Sequence, residues 1–400
     1  MSILPSLRSS LEDALLLPPN AAFAARTTLE KSWGLGYTAF HVDALTCYML
    51  GVMGNRVTVR HISGSTEDIL SFFTDAGLVI SERTLRYETE EQALSLARKL
   101  VRERHQLAWI YPPSEEVCED DGHLVQPKLW SYLNDKRNLS NLAPPHSLPD
   151  RKVLDLAAVE RHVPSASVFL KAANSSATGW GFMVRYCATG DEVGQAVSWF
   201  REQGRVTELI VEEAIDLQAS WCMNIAVTSR SVTYVSGVEQ VFASPGKQSG
   251  SIIDPTNPPP AESIELVKQI GEAARKLGFL GPAGIDVGLA RDGRIYAFDP
   301  NFRFTSSYVQ GLLHASAAAR SDLSTSLSVG SFTALGIRSL LNALRGPVGD
   351  GWLVPTRIID GALLPAAKGR CHYAGFVLGR NREQAEKRAE ELKMLAPAAS

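Results

Sequence analysis

The sequence has few of the features that mark disulfide-rich, nucleic-acid-binding or membrane proteins. Its five cysteines are scattered through 400 residues without a Cys-x-x-Cys pair, which argues against a disulfide framework and a cysteine-based zinc site. The net charge is −3 and Lys and Arg do not cluster, so nucleic acid is not an expected partner. No apolar run is long enough to span a membrane, and the first residues lack the pattern of a signal peptide. We therefore expect a cytoplasmic protein that does not bind membranes.

What the sequence does have is the composition of a globular enzyme. Apolar residues make up 45% and charged residues 21%, which are ordinary values for such proteins. A length of 400 residues predicts two or three domains. Strand and helix patterns alternate over residues 57–111, which is typical of an α/β sheet. We place an α/β domain at 1–130, a central domain at 131–335 that divides near residue 207, and a small C-terminal α/β unit at 336–400.

Three other stretches give little strand signal. Residues 1–45 look mainly helical, and residues 305–344 form a Ser- and Ala-rich segment with helical patterns. Residues 244–250 are small and are predicted to form a loop. The predicted strands of the central domain therefore lie outside these stretches.

The most informative stretch is 284–303, which predicts two strands joined by an Asp-Gly turn. Asp286, Asp299 and Asn301 carry oxygen donors where a strand pair usually has apolar side chains. Residues 299, 301 and 303 point to one face of a strand, and Asp286 can lie beside them across the hairpin. Two carboxylates and an amide oxygen next to Arg303 suit Mg²⁺ carrying phosphates.

Two lysines that precede this hairpin in the chain are also candidates for the site. Lys171 stands in the middle of an apolar strand, where an ammonium group is costly unless it meets an anion. A loop of small residues at 174–181 follows, whose backbone amides can approach phosphates. Lys136 belongs to a helix-like segment, and residues 207–215 form a strand that ends in two acids. A lone lysine in a strand is usually a snorkelling residue. The interpretation of Lys171 as a phosphate ligand therefore depends on the small-residue loop and the acid hairpin that follow it.

Taken in order, these features resemble the ATP-grasp family of carboxylate–amine ligases over about residues 130–310. The resemblance implies an ATP-grasp fold for the central domain, preceded by a Rossmann-like α/β domain and followed by the small C-terminal unit. It implies ATP as a cofactor, with Mg²⁺, which Mn²⁺ can replace. The metal would be held by Asp286, Asp299 and Asn301, with Arg303 and Lys171 as catalytic cations.

The same resemblance implies a nucleotide site. Lys136 and Lys171 would contact the phosphates, and the Ser/Gly loop would cover them. Adenine would lie at the strand-end linker, and Gln218 is the candidate for the ribose. The residues assigned to this nucleotide site are Lys136, Lys171, Ser175, Ser176, Gly179, Gly181, Glu212, Glu213, Ala214, Ile215 and Gln218.

Two departures from the family pattern are visible. Asp286 and Asp299 are 13 residues apart, as in the D-alanine–D-alanine ligases, but the second acid is usually glutamate. Those ligases also carry an arginine two residues before the first acid, where this chain has Gly284. The resemblance to a D-alanine ligase therefore fails at this position, and the arginine role falls to Arg303.

The implied function is an ATP-dependent, ADP-forming ligase that joins a small carboxylate, an amino acid, to an amine through an acyl phosphate. The product would be an amide or peptide. The C-terminal unit resembles that of pheganomycin-type peptide ligases and the related butirosin-type ligase, which implies natural-product biosynthesis. Two alternatives stay open: transfer of an amino acid to a carrier-protein thiol, and a non-catalytic ATP-binding regulator, for which the shorter Asp299 leaves room. We also expect a homodimer as a possible assembly.

Overall fold

The structure is a computed structural model and describes residues 4–49, 51–117, 120–161, 166–173 and 181–399. Within these residues the chain forms three sheets. None of the helices in the described part is both long and apolar enough to cross a lipid bilayer.

The first sheet has four parallel strands in the order β3-β2-β1-β4. Its elements are α1 (Asp13–Leu16), β1 (Ala21–Phe23), α2 (Ala39–Ala44), β2 (Thr58–His61), α3 (Glu67–Asp75), β3 (Thr84–Tyr87), α4 (Glu90–Arg102) and β4 (Gln106–Ala108). The predicted strand and helix alternation is confirmed. Helix α4 begins at Thr89, which forms a reciprocal capping box with Gln92. Strand β1 was not expected, because three buried residues are too few to show a period.

The second sheet is antiparallel, with the order β5-β8-β6-β7. Two helices, α5 (Pro127–Asn134) and α6 (Leu139–Leu142), precede it and are joined by the single turn Lys136–Asn138. The sheet and its helices are β5 (Arg151–Asp155), α7 (Leu156–Arg161), β6 (Val168–Ala172), β7 (Val184–Cys187), α8 (Gly190–Glu202) and β8 (Glu208–Glu213). Its core is formed by the apolar faces of α8 and of strands β6 and β8.

The third sheet is the largest and has the order β13-β12-β9-β10-β11-β14-β16-β15. Its elements are β9 (Leu217–Val227), β10 (Val232–Ser244), β11 (Lys247–Ile253), α9 (Ala261–Lys276), β12 (Gly281–Ala290), β13 (Ile295–Asn301), α10 (Tyr308–Ser321), β14 (Thr325–Thr333), α11 (Ile337–Gly349), β15 (Leu353–Ile359), β16 (Cys371–Gly379) and α12 (Arg382–Leu395). All its neighbouring pairs are antiparallel.

One expectation for this region is wrong, and another, the helix-rich segment, is confirmed but omits a strand. Residues 244–250 are the tip and second strand of a hairpin, in which Ser244 pairs with Lys247. The segment 305–344 contains β14 between its two helices. Small and polar residues form these strands because both neighbours in the sheet supply backbone hydrogen bonds, which a pattern based on side chains does not reveal. The expected boundary at residue 335 falls between two strands of one sheet, and the three-domain division stays a prediction.

The largest hydrophobic core joins the first sheet to α10, α11 and the C-terminal strands. Phe23 packs edge to face on Phe304, with ring centroids 5.9 Å apart, and Phe304 packs in the same way on Tyr308 at 5.4 Å. Each aromatic side chain buried in this way contributes roughly 2–3 kcal/mol. The first sheet is thereby held against the third, and its loops form one wall of the cavity described next.

Candidate active site

A cavity of about 800 Å³ is lined by residues from all three sheets. This volume falls in the range of pockets that bury a small ligand or cofactor. The first sheet contributes loop aromatics such as Tyr37 and Tyr111, and the second contributes Lys171 and Glu212. Most of the remaining wall comes from the third sheet and from Lys136.

The predicted hairpin is confirmed, and it brings the two acids together at the cavity wall. Asp286 lies opposite Asp299, and Gly284 opposite Asn301, in the pairing of β12 with β13. A β-bulge follows this pair, because Val287 lies opposite Ala297 and leaves Phe298 as the extra residue. The bulge changes the direction of the strand at the point where the acids face the cavity.

The electrostatics of this pair differ between its two members. Burial, and to a smaller extent the nearby charge of Asp299, raise the pKa of Asp286 to about 6. Lys136 opposes that shift and forms an ion pair with Asp299. Lys136 is itself buried, with 4% of its surface exposed. Two carboxylates therefore share one ammonium group, which leaves the pair with excess negative charge.

Lys171 finds its anion within the protein. Its ammonium donates to Glu212 Oε1 at 2.5 Å and to the carbonyl oxygen of Phe298 at 3.2 Å. Glu212 is 1% exposed and also faces Arg151, with 3.7 Å between Oε2 and Nη2. The bond to Phe298 links β6 of the second sheet to the bulge of the hairpin, so Lys171 positions the two sheets as well as carrying charge into the cavity.

Arg303 lies just past the hairpin and faces the same cavity. Its Nη2 donates to Asn301 Oδ1 at 2.5 Å, and its guanidinium lies 5.1 Å from the ring centroid of Tyr111. Asn134, at the end of α5, accepts a hydrogen bond from the backbone of Phe302 at 2.9 Å. This bond fixes the chain between Asn301 and Arg303.

The structure places some of the predicted nucleotide residues in the cavity wall and others outside it. Glu212, Ile215 and Gly181 line the cavity, as do both lysines. Glu213 and Gln218 are exposed and, with Ala214, are not part of the described cavity wall. Gly181 has φ of 66°, and a Cβ there would collide with the carbonyl oxygen of Gly246. The assignments on Ser175, Ser176 and Gly179 lie outside the described residues.

The structure explains why residue 284 is a glycine. A Cβ on Gly284 would collide with the methyl group of Thr305 and lie 2.9 Å from Cys222 Sγ. An arginine at this position has no room, so the departure from the D-alanine ligases follows from the packing of Gly284 against Thr305 and Cys222 on the cavity face of the strand.

Sequence reasoning missed several cavity residues. Gln240 and Cys222 form hydrogen bonds with Asp286, and burial raises the pKa of Cys222. Arg357 and His372 line the cavity from strands β15 and β16. The charged Arg357 within an otherwise apolar strand was the same signal that singled out Lys171.

The donor set fits a hard cation such as Mg²⁺. Among the residues that the structure describes, no three His, Cys, Asp or Glu side chains are placed to hold a metal ion. The pair Asp286 and Asp299 reaches three donors only with the amide oxygen of Asn301. Oxygen donors from few side chains, with open positions for water and phosphate, are typical of Mg²⁺ bound to a nucleotide. The excess negative charge of the pair favours such an ion.

Solved structures share this fold over most of the chain. An N5-carboxyaminoimidazole ribonucleotide synthetase in complex with ADP is 13% identical with a TM-score of 0.55, and the match covers 98% of each chain. A biotin carboxylase β-γ-ATP complex from Campylobacter jejuni is 12% identical with a TM-score of 0.57, covering 94% of this chain and 91% of that one. An L-amino acid ligase from Bacillus licheniformis is 18% identical with a TM-score of 0.52, covering 80% and 89%.

Fold and site together define an ATP-grasp enzyme, a class of ATP-dependent carboxylate–amine ligases. Two family models match the chain: the N-terminal domain of L-aspartate–L-methionine ligase over residues 13–131, and the ATP-grasp domain of the same ligase over residues 149–301. The chain therefore belongs to the L-aspartate–L-methionine ligase family. The predicted fold class and ATP-grasp membership are confirmed. The finer likeness to pheganomycin- and butirosin-type ligases stays a prediction.

Proposed function

We propose that this chain activates the carboxylate of one amino acid with ATP and joins it to the amine of a second. Aspartate and methionine are the pair that the family description names. The observation that carries the proposal is the cavity in which Asp286 and Asp299 face each other beside the cations Lys136, Lys171 and Arg303. Phosphoryl transfer depends on positioning and charge neutralisation, which this arrangement supplies.

The first step consumes ATP. A carboxylate oxygen of the first substrate attacks the γ-phosphorus, and the bond from that phosphorus to the bridging oxygen of ADP breaks. The products are an acyl phosphate and ADP. Lys136, Lys171 and Arg303 offset the negative charge that spreads over the transferring group.

The second step forms the amide. The amine nitrogen attacks the acyl carbon, the bond from that carbon to the phosphate oxygen breaks, and the nitrogen loses a proton. Phosphate leaves. The cavity walls exclude water, which would otherwise hydrolyse the acyl phosphate.

Asp286, Asp299 and Asn301 would hold Mg²⁺ between the protein and the phosphates. When bound, the ion would neutralise negative charge on the phosphate oxygens. Mn²⁺ accepts the same oxygen donors and is expected to substitute. Lys136 would hold Asp299 in place through their ion pair.

The nucleotide would lie against the end of β8 and the loop that precedes Gly181. Glu212 anchors Lys171 there, and the backbone of the linker faces adenine. Gln218, the ribose candidate, is exposed and lies outside the described cavity wall. The further nucleotide contacts that we propose are Ser175, Ser176, Gly179, Gly181, Glu213, Ala214 and Ile215.

The test is turnover with defined substrates. We expect ADP and phosphate to be released when ATP, Mg²⁺, aspartate and methionine are all present, with a dipeptide detected by mass spectrometry. AMP as the product would contradict the acyl phosphate scheme. Thioester formation on an added carrier protein, without a dipeptide, would favour the carrier alternative. ATP binding without turnover for any acid and amine pair would favour the regulator. A homodimer and a cytoplasmic location remain further proposals.

A further inference from the structure

Arg357 lines the cavity, and among the described residues it forms no ion pair or hydrogen bond with Asp286, Asp299 or Asn301. Its Nε is buried without a hydrogen-bond partner in the described part of the chain, and its guanidinium lies 5.8 Å from the ring centroid of Tyr48. Within the described residues no carboxylate pairs with it: burial lowers its pKa, and the groups that act against this shift are Tyr48, Tyr37 and Cys47. Lys136 and Lys171, by contrast, each have a protein carboxylate.

The strand that carries Arg357 has a β-bulge directly before this residue. Pro355 pairs with Gly375 and Arg357 with Ala374, so Thr356 is the extra residue of a β-bulge directly before the arginine. Bulges next to binding sites commonly redirect a side chain. Thr356, Arg357, Ala374 and Gly375 all line the cavity.

His372 lies beside Arg357 on the neighbouring strand. It is 8% exposed and lines the cavity, and its Nδ1 is buried without a hydrogen-bond partner. His372 lies opposite Ile359, which is two residues from Arg357 on the same strand. The side chains of His372 and Arg357 are therefore on the same face of the sheet. Burial and the charge of Arg357 hold the pKa of His372 well below its usual value, so the ring is neutral and offers one N–H donor.

Tyr37 connects this pair with Arg303. The charges of both Arg303 and Arg357 act on the pKa of Tyr37, so its hydroxyl is near both guanidinium groups. Its ring packs on Tyr111, which in turn contacts Arg303. Because Arg303 and Arg357 line one cavity, a substrate that reacts near Arg303 can reach Arg357.

A buried guanidinium without an anion is costly, and its cost is removed when a ligand supplies the anion. The planar fork of arginine matches the two oxygens of a carboxylate. The phosphates are expected beside Asp286 and Asp299 on β12 and β13, whereas Arg357 lies on β15 at the other edge of the third sheet. The anion that reaches Arg357 must then belong to an amino-acid substrate.

We propose that Arg357 and His372 bind a substrate carboxylate that the reaction leaves intact. This inference rests on the proposed ligase function and adds a requirement for an acidic group on one substrate. Two sources share this chemistry: the α-carboxylate of the amine substrate, and the second carboxylate of a dicarboxylic donor such as aspartate. A substrate in which this carboxylate is replaced by a neutral amide would leave the Arg357 guanidinium without an anion.

The experiment compares free acids with their primary amides in the wild type, in Arg357→Met and in the matched control Arg345→Met. Arg345 is exposed on α11 and away from the cavity. One arm uses methionine and methioninamide as the amine substrate, and the other uses aspartate and its two monoamides as the donor. We expect the wild type and Arg345→Met to prefer the free acid by roughly 10- to 100-fold in kcat/KM in one arm, which identifies the source. Arg357→Met should lose that preference, mainly through KM.

Ligand-free stability provides a second readout. Because Arg357 lacks a partner, Arg357→Met should melt at or above the temperature of the wild type, whereas removal of a structural arginine would lower it. Calorimetric binding of the free acid and its amide tests the subsite even if ligation fails. Absence of ligation in the wild type contradicts the proposed function. An acid preference that Arg357→Met retains, or no preference in either arm, overturns this inference alone.

Discussion

Asp286 lies directly opposite Asp299 on the adjacent strand, and Lys136 contacts the second of these acids. Because one ammonium group faces two carboxylates, the pair is poised to accept a further cation. The predictions below follow from this relationship and from the packing around it.

Asp299→Ala removes a proposed metal ligand and the ion-pair partner of Lys136. We expect kcat for phosphate release to fall by roughly 100-fold or more, the loss typical of removing one charge-stabilising group from an active site. Asp299→Glu should retain part of the activity, since many ATP-grasp ligases have glutamate there. Asp292→Ala is the control, because this exposed turn residue of the same hairpin pairs only with its neighbour Arg294 among the described residues. Equal activity of the two alanine variants would remove Asp299 from the metal site.

Asp286 should make the metal-free protein less stable as the pH rises. Its folded-state pKa of about 6 exceeds the ordinary value of 3.8, so between these values the folded protein keeps a proton that the unfolded chain has lost. Stability attributable to this group is therefore present at low pH and lost as the pH rises through about 6. At pH ~8 the free energy of unfolding of Asp286→Asn, measured with urea, should exceed that of the wild type by about 1–3 kcal/mol. At pH ~4 the two proteins should have similar free energies of unfolding. Added Mg²⁺ should stabilise only the wild type; stabilisation of both would contradict the assignment.

Glu212→Gln should destabilise the protein strongly, because it leaves the buried Lys171 without its anion. Breaking one side of a buried ion pair costs roughly 3–5 kcal/mol. The matched surface pair is Glu265 with Lys268, at 3.0 Å on α9, and Glu265→Gln should change stability by less than about 1 kcal/mol. Urea unfolding measures both. Similar small losses would show that Lys171 is compensated by other groups.

Gly284→Ala tests the close packing on the cavity face of the acid hairpin. The added methyl group meets Thr305 and Cys222, so we expect a loss of about 1–3 kcal/mol in unfolding free energy. Turnover should fall with it, because Gly284 lies opposite Asn301. Gly194→Ala is the control: it lies within α8 with open space around its Cβ position, and it should gain up to about 1 kcal/mol. Thermal melts of both variants decide the point.

The acid hairpin was predictable from the sequence because its ligands are close along the chain. Asp286, Asp299 and Asn301 lie within one strand pair, and the Asp-Gly turn between the strands fixes their register. Lys171 was identified by a local conflict, a charge within an apolar strand. The identity of its partner was not predictable, since Glu212 is 41 residues away and its pairing depends on the order of strands in the second sheet.

Other parts depend on long-range packing and escaped sequence reasoning. Strands β1 and β14 are short or polar, and only their neighbours in the sheet make them strands. Arg357 and His372 join the cavity because β15 and β16 pair at the far edge of the third sheet. Glu213 follows Glu212 in sequence, but the alternation of the strand turns it to the opposite, exposed face, so its role at the nucleotide stays a prediction.

The bulged strands β13 and β15 are the outermost strands of the eight-stranded sheet. Each carries a proline, Pro300 in one and Pro355 in the other, which cannot donate a backbone hydrogen bond. Irregular, proline-containing borders resist the addition of a further strand from another molecule. The same bulges that shape the cavity therefore lower the tendency of this sheet to associate edge to edge with another molecule.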